Sequence, residues 1–316
     1  MAERMQRVTS VTVAFNPHPE RLAEQLAALR GQVDDMIVVD NGSDPPVAEI
    51  LRRAAARELD AGELVLIALP DNQGVARRFN IGIGRARERG SDFALLLDHD
   101  SIPTPDMVRL LEAGYRRGVD LAGAGRIAAV GPRVNDTRDR REYPFIRLGW
   151  LRNRHLRCGD VADSEIVPCD FLMSSGSLIA LDALPAIGEF DETLFIDSVD
   201  LEWCCRARAR DYALYGVCAA ELDHRLGDHR RVFARVIQLV VHSPRRFYYM
   251  SRNRFLLYQR PYIPLKWKLK DLLRVTAKFT ATMLLVAPRF EYARMMLRAI
   301  RDGAARRGGK FTEDGA

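Results

Sequence analysis

The first hundred residues alternate short, wholly apolar runs with amphipathic stretches, and few folds satisfy that pattern. Residues 9–15, rich in β-branched side chains, read as a strand, and 36–39, 64–69 and 93–97 read as three more. Between them, 19–30, 47–59 and 74–89 read as helices; the first carries Leu22, Leu26 and Leu29 on one face and Pro19 in its first turn. Strands apolar throughout are buried on both faces, so the expected class is α/β, a mostly parallel sheet flanked by helices. A further helix is expected from Thr104 as cap, Pro105 in the first turn and Asp106. Residues 212–217 and 219–222 predict a strand pair.

In such sheets ligands bind at the carboxyl ends of the strands. After the first strand comes Phe15-Asn16-Pro17, and after the second Asp40-Asn41-Gly42-Ser43. After the third comes Asp71-Asn72-Gln73-Gly74, with Arg77 and Asn80 on the next helix; after the fourth, Asp98-His99-Asp100. Each segment alone also reads as a turn or a solvated loop. Together they crowd like charges at one sheet edge, which a cation or a donor-rich ligand would relieve. Two carboxylates two residues apart suit a hard divalent ion with oxygen ligands, Mg²⁺ or Mn²⁺, better than zinc. A phosphatase with a nucleophilic Asp fits poorly, since Ile102 stands where Thr or Val is needed.

A second acidic cluster, residues 194–203, places Asp200 and Glu202 where an apolar stretch turns into a helix. Asp200 reads either as a general base or as a helix cap, and His224 either as a metal ligand or as a structural histidine. The five cysteines are odd in number and show no CxxC spacing, so neither a disulfide nor a zinc site is expected and a reducing compartment fits. Residues 1–9 are polar and charged, unlike a signal peptide, and a cytoplasmic location is expected.

The net charge of +6 conceals an asymmetry: residues 225–316 carry 21 Lys/Arg against 6 Asp/Glu, and residues 1–224 carry 27 against 36. An acidic body with an anion-seeking tail results, the anion being lipid headgroups, nucleic acid or a phosphorylated substrate. Within the tail, 245–255 interleaves arginines with aromatics, as nucleic-acid proteins and interfacial helices both do. A helical pair covering the sheet accounts for it equally well. The longest uncharged run there, 279–288, is far short of the roughly 20 residues of a spanning helix.

Taken in order, these segments resemble the family-2 glycosyltransferases of the GT-A fold, and within them a bacterial rhamnosyltransferase branch, over roughly residues 8–258. The likeness rests on Phe15-Asn16-Pro17, Val39-Asp40-Asn41-Gly42-Ser43, Asn72-Gln73-Gly74-Val75-Ala76 with Asn80, and Leu97-Asp98-His99-Asp100-Ser101. It continues through Phe171-Leu172-Met173-Ser174-Ser175-Gly176, then Leu194-Phe195-Ile196-Asp197 as far as Arg206, and His224. It implies a GT-A (Rossmann-like) catalytic domain over 1–228, with a nucleotide-sugar half to about 103 and an acceptor half from about 104, followed by a basic helical region over 229–316. Donor binding is implied for Phe15, Asn16, Asp40, Asn41, Asn72, Gly74, Arg77, Asn80 and Asp98, and metal binding for Asp100 with His224 and Asp98. Asp200 is the implied base; Asp197 is its alternative, because Val199 stands where the family has Glu. Ser175, Gly176, Glu202 and Trp203 are implied on the acceptor side.

The implied reaction is an inverting transfer from dTDP-L-rhamnose, or alternatively a UDP-sugar, to a saccharide or lipid-linked acceptor. Mg²⁺ or Mn²⁺ would assist, and the tail would attach to the anionic cytoplasmic face of the inner membrane. A rival of another class is a nucleic-acid-binding protein using the tail; the resemblance speaks against a nucleic-acid partner. A sugar nucleotidyltransferase would want a Gly-rich phosphate loop where Phe15-Asn16-Pro17-His18-Pro19 stands. Acceptor, linkage and oligomeric state stay open.

Overall fold

The computed structural model describes residues 6–138, 141–160, 166–224, 230–233, 237–240, 242–286 and 288–312. The chain begins β1 (Val8–Ala14), α1 (Pro19–Leu29), β2 (Asp35–Asp40), α2 (Val47–Ala54), α3 (Ala56–Asp60), β3 (Leu64–Ala68), α4 (Val75–Glu88) and β4 (Phe93–Asp98). The four strands pair in parallel in the order β3-β2-β1-β4. Every residue of β1 and β2 is buried, the polar Thr9, Ser10, Thr12, Asp35 and Asp40 included. The helix expected over 47–59 is instead two, because Ala55 leaves helical geometry at φ −148°, ψ 38°.

β5 (Ile102–Pro103), α5 (Met107–Ala122), β6 (Ile127–Asp136), β7 (Glu142–Tyr143), β8 (Phe145–Arg147) and β9 (Arg154–Leu156) follow. Then come β10 (Ile166–Cys169), β11 (Leu178–Ala180), α6 (Leu184–Ile187), α7 (Val199–Arg208) and β12 (Ala213–His224). They extend the sheet through antiparallel β11, giving β10-β12-β6-β11-β4-β1-β2-β3. The fold is therefore α/β of the GT-A type, parallel in its first half and mixed in its second.

Three expectations need correction. Residues 212–222 do not form a strand pair: β12 is one long strand whose register slips against β6 between Val217 and Glu221. Thr104 does not cap α5, because its amide and hydroxyl both donate to the Glu221 carbonyl and tie it to β12; the helix starts at Met107, after Asp106 in left-handed geometry. Cys158 and Cys218 form a disulfide across 60 residues with a Cα–Cα distance of 5.4 Å, while Cys169, Cys204 and Cys205 are free and buried. Sequence spacing cannot reveal such a pair, since only the fold brings 158 beside β12. The cysteine argument for a reducing compartment loses its basis.

The tail holds a hairpin, β13 (Arg230–Phe233) with β14 (Ile237–Val240), then α8 (Pro244–Tyr258), α9 (Leu265–Leu285) and α10 (Arg289–Ala304). The expected body–tail boundary at 228/229 lies outside the described residues. Phe247, Tyr248, Tyr249, Arg252, Asn253 and Leu256 of α8 are buried, so most of the arginine–aromatic segment packs inside the protein, with Arg245 left exposed. Among the described residues, no helix is long and apolar enough to cross a membrane.

α4 crosses β1 closely at Gly82, where a Cβ would fall 2.2 Å from Val11 Cγ1; at Gly84 nothing lies within 4 Å. Gly82→Ala should therefore cost about 1–3 kcal/mol in urea unfolding through overpacking. Gly84→Ala, in the same helix, should be neutral or stabilising by up to about 1 kcal/mol.

Candidate active site

A cleft of about 820 Å³ opens at the carboxyl ends of β1 and β4. Asp98, His99 and Asp100 form one wall with His224; residues 196–200 form another, and Met173, Ser174 and Ser175 a third. The turn after β4 is fixed from beneath by Gln25 of α1, whose amide donates to the carbonyls of Asp98 and Ser101, 2.6 Å each, and whose oxygen accepts from Thr12. From the side, Ser175 Oγ accepts from the Asp98 amide at 3.1 Å and lies 2.6 Å from Ser101 Oγ. Ser101 Oγ in turn lies 2.7 Å from His224 Nδ1. This serine relay orients the imidazole so that Nδ1 stands 3.4 Å from Asp100 Oδ1.

Proximity splits the acidity of these groups. Burial pushes the Asp98 carboxyl up, with Asp100 adding to it and His224 opposing. Burial also disfavours charge on Asp100, but the hydrogen bond and charge of His224 outweigh it and hold that carboxyl low. For His224 desolvation is outweighed by Asp100, Asp98 and Asp136, and the imidazole is raised above its ordinary value. Across the cleft, burial lifts Asp200 to about 6, with Asp197 and Asp98 adding repulsion. Asp197 is instead bridged by Arg246, whose Nε and Nη2 donate to its two oxygens at 3.3 and 3.2 Å. A carboxyl raised to about 6 suits Asp200 to proton abstraction near neutral pH.

The wall carrying these carboxylates is held in unusual geometry. Phe195, Asp197 and Ser198 all have positive φ, between 63° and 65°. Asn253 of α8 donates from its amide nitrogen to the carbonyls of Leu194, Ile196 and Asp197 at 2.7–2.9 Å. The buried Arg252 guanidinium reaches the carbonyls of Thr193 and Leu194, and Tyr249 stacks on Phe195 with centroids 4.9 Å apart. From the other side the Val75 amide donates to the Phe195 carbonyl. Gly74, at φ 87°, permits the approach: a Cβ there would lie 2.6 Å from that carbonyl oxygen.

Of the residues singled out in the sequence, Phe15, Asp98, Asp100, Ser175, Asp197, Asp200 and His224 meet at the cleft. The others support it. Asp40 accepts from the amide and hydroxyl of Ser43 and from the Val47 amide, closing its own turn and capping α2. Asn41 joins the turns after β2 and β3 through Asn72 and the Gln73 amide, and Asn16 bonds Ser43 and Asp44. Asn80 exchanges hydrogen bonds with the Phe190 backbone and reaches Glu192, which also pairs with Arg77. Gly176 sits where a Cβ would meet Pro132 and Leu222. Glu202 and Trp203 correct the acceptor-side expectation: Glu202 is buried and paired with Arg206 and Arg260, and Trp203 packs against Phe190 in the core. The helical period of α7 turns Glu202 away from Asp200 and the cleft, while Trp203 is held in the core, its indole nitrogen donating to the Gly188 carbonyl.

Sequence reading missed three arginines. Arg78, not Arg77, lines the cleft; burial pulls its guanidinium down to about 10 against the charges of Asp98 and Asp40. Arg138, gripped by the buried Asp136, and Arg246 line it too. Arg78 lies on the strand-facing side of α4, its guanidinium donating to the Ala14 carbonyl.

Among the described residues, no group of three or more His, Cys, Asp or Glu is arranged to hold a metal ion on its own. The donors present, two carboxylates and an imidazole, fit a hard cation that completes its shell with phosphate oxygens. The repulsion of Asp98 by Asp100 is what such an ion would relieve.

A family model described as Glycosyl transferase family 2 matches residues 9–177. The chain is 29% identical over 302 residues to dTDP-rhamnosyl transferase RfbF of Shigella flexneri, covering 94% of this chain and 95% of that protein. It is 30% identical over 226 residues to the galactofuranosyltransferase GlfT1 of Mycolicibacterium smegmatis, covering 67% and 68%. Among solved structures, S. aureus TarS 1–349 in complex with UDP-GlcNAc superposes with a TM-score of 0.58 at 14% identity, covering 94% of this chain and 80% of that one. GalNAc-T7 with UDP, GalNAc and Mn²⁺ superposes at 0.59 with 12% identity, covering 90% and 57%. At these identities the structural likeness concerns the fold.

Two predictions follow from the geometry of the 195–200 wall. A base must be deprotonated to act, so kcat/KM should fall as pH drops through about 6. Asp200→Asn should remove that limb and cost on the order of 10²–10⁴ in kcat. Because the folded-state pKa of Asp200 lies above its unfolded value, its ionisation opposes folding at pH 8, so the Asn variant should melt no lower than wild type there. Asn253→Ala should leave buried carbonyls unpaired, costing about 1–3 kcal/mol in denaturant titration. By letting Asp200 drift it should also lower kcat/KM by up to about 10²-fold.

Proposed function

The chain belongs to glycosyl transferase family 2, and we propose that it is an inverting enzyme that moves L-rhamnose from dTDP-L-rhamnose to a saccharide or lipid-linked saccharide. Such products belong to cell-surface polysaccharide, O-antigen or rhamnolipid synthesis. The observation that carries the reading is a poised carboxyl, Asp200, facing the Asp98–Asp100–His224 wall across one cleft. The donor sugar is supported by end-to-end similarity to a dTDP-rhamnosyl transferase.

In this reading Asp200 takes the proton of the acceptor hydroxyl as that oxygen bonds to the anomeric carbon. The bond from that carbon to the diphosphate breaks on the opposite face, inverting the centre, and its electron pair leaves with the nucleoside diphosphate. Phe15 supplies an apolar face for the donor, and Asp40, Asn16, Asn41 and Asn72 shape the rim where base and ribose lie. Gly74, Arg77 and Asn80 fix the loop opposite. Arg138 and Arg246 add positive charge near the leaving group. Mg²⁺ or Mn²⁺, held by Asp100 with His224 and Asp98, would supply further charge against the departing diphosphate. Ser175 and Gly176 border the acceptor side. We read residues 1–228 as the catalytic body, divided near 103, and 229–316 as a helical extension that completes its site. A nucleic-acid role for 245–255 loses support, because its Phe247, Tyr248, Tyr249 and Arg252 are buried.

The test is a panel of dTDP- and UDP-sugars with Mg²⁺, Mn²⁺ or EDTA, read by donor hydrolysis and thermal shift. dTDP-rhamnose with a divalent ion should give the largest shift, EDTA should abolish it, and Asp100→Ala should lose the metal-dependent part. Transfer from dTDP-rhamnose surviving both Asp100→Ala and Asp200→Asn would overturn the assignment.

A further inference from the structure

In the arginine–aromatic segment 245–255, Phe247, Tyr248, Tyr249 and Arg252 are buried, Arg246 pairs with Asp197 and Arg254 with Asp271, so most of it is engaged within the protein. α9 offers another surface. Leu265, Leu269, Leu272 and Leu273 are exposed by 58%, 52%, 47% and 74%. At about 100° per residue these four fall within roughly a 100° arc, and the exposed Thr276 and Thr280 continue it.

Lysines border the stripe on both sides: Lys268 on one edge, Lys266 and Lys270 on the other. The latter two donate to the carbonyls of Leu148 and Gly149 and to Asn153, fixing beside the helix a turn whose Trp150 and Leu151 are exposed by 69% and 93%. Positive charge is crowded here. The Lys270 ammonium is held below its ordinary value by desolvation first, then by Arg274 and Lys266.

A leucine centre, cationic edges and a tryptophan at the rim together match the demands of a lipid–water boundary. A second copy of the chain, laying stripe on stripe, would bring lysine edges against lysine edges. We propose that α9 and the Trp150–Leu151 turn form one face that lies in the interface of an anionic bilayer, leucines toward the acyl chains and lysines among the headgroups. The inference deepens the reading of a lipid-linked acceptor, on which its purpose rests.

The experiment is co-sedimentation of the full chain with phosphatidylcholine vesicles, with and without phosphatidylglycerol. Binding should require phosphatidylglycerol and weaken as salt rises. Leu269→Glu with Leu273→Glu should lower partitioning by about tenfold or more, while donor hydrolysis and melting temperature stay as in wild type. Equal binding by the variant, or binding indifferent to phosphatidylglycerol, would overturn the proposal. So would a wild-type dimer in sedimentation velocity that the leucine variant turns into a monomer, since a second copy would then be the occupant. Vesicle binding by a chain that hydrolyses no sugar nucleotide would sink the functional reading and leave this face standing.

Discussion

The amide of Asn253 holds together what the rest of the site requires. Three non-glycine residues in left-handed geometry within 195–198 cost of order 1–3 kcal/mol each, and persist only where the surroundings over-determine them. Here the surroundings are α8, through Asn253, Arg252 and Tyr249, and the glycine turn before α4. The result is an abrupt entry into α7 that leaves Asp197 and Asp200 on the cleft wall. The C-terminal helix α8 thereby helps to shape the cleft. Even the terminal segment takes part: Arg252 reaches the Gly309 carbonyl, the Gly309 amide donates to Thr193, and Lys310 pairs with Asp71.

Once that wall is fixed, electrostatics divides the labour among carboxyl groups of identical chemistry. Asp100 stands beside His224, which holds its carboxyl low; Asp200 is desolvated beside other carboxylates and raised to about 6; Asp197 is paired with Arg246. Environments of this kind push groups of like chemistry apart in acidity. The serine relay from Ser175 through Ser101 to His224 links three elements distant in sequence and keeps the imidazole turned toward Asp100.

Much of this was legible in the chain. Apolar runs at strand length marked out the parallel block, and the rule that ligands gather at strand ends singled out Asp98 and Asp100, which line one cleft with His224. What periodicity could not show were the places where one tertiary contact overrules a local preference. Thr104 has ideal cap chemistry but spends its donors on β12. Arg252 and Tyr249 of α8 sit in a segment with the composition of a binding surface but brace residues 194–195 instead. Arg78 is a charged residue in a buried row, which a pattern-based reading assigns to solvent.

The sequence by itself determined the alternation of strands and helices, and hence which turns share an edge, because burial of apolar runs is a local and nearly additive demand. Only the tertiary structure decided which of those polar residues face the cleft. Asn80, Glu202 and Trp203 have the residue types of a site but serve as braces, while Arg138 and Arg246 reach it from distant segments. The pairing of Cys158 with Cys218 belongs to the same class. The physical reason is common to all: a side chain's partner is set by distance in space, and the backbone's local preferences carry no record of it.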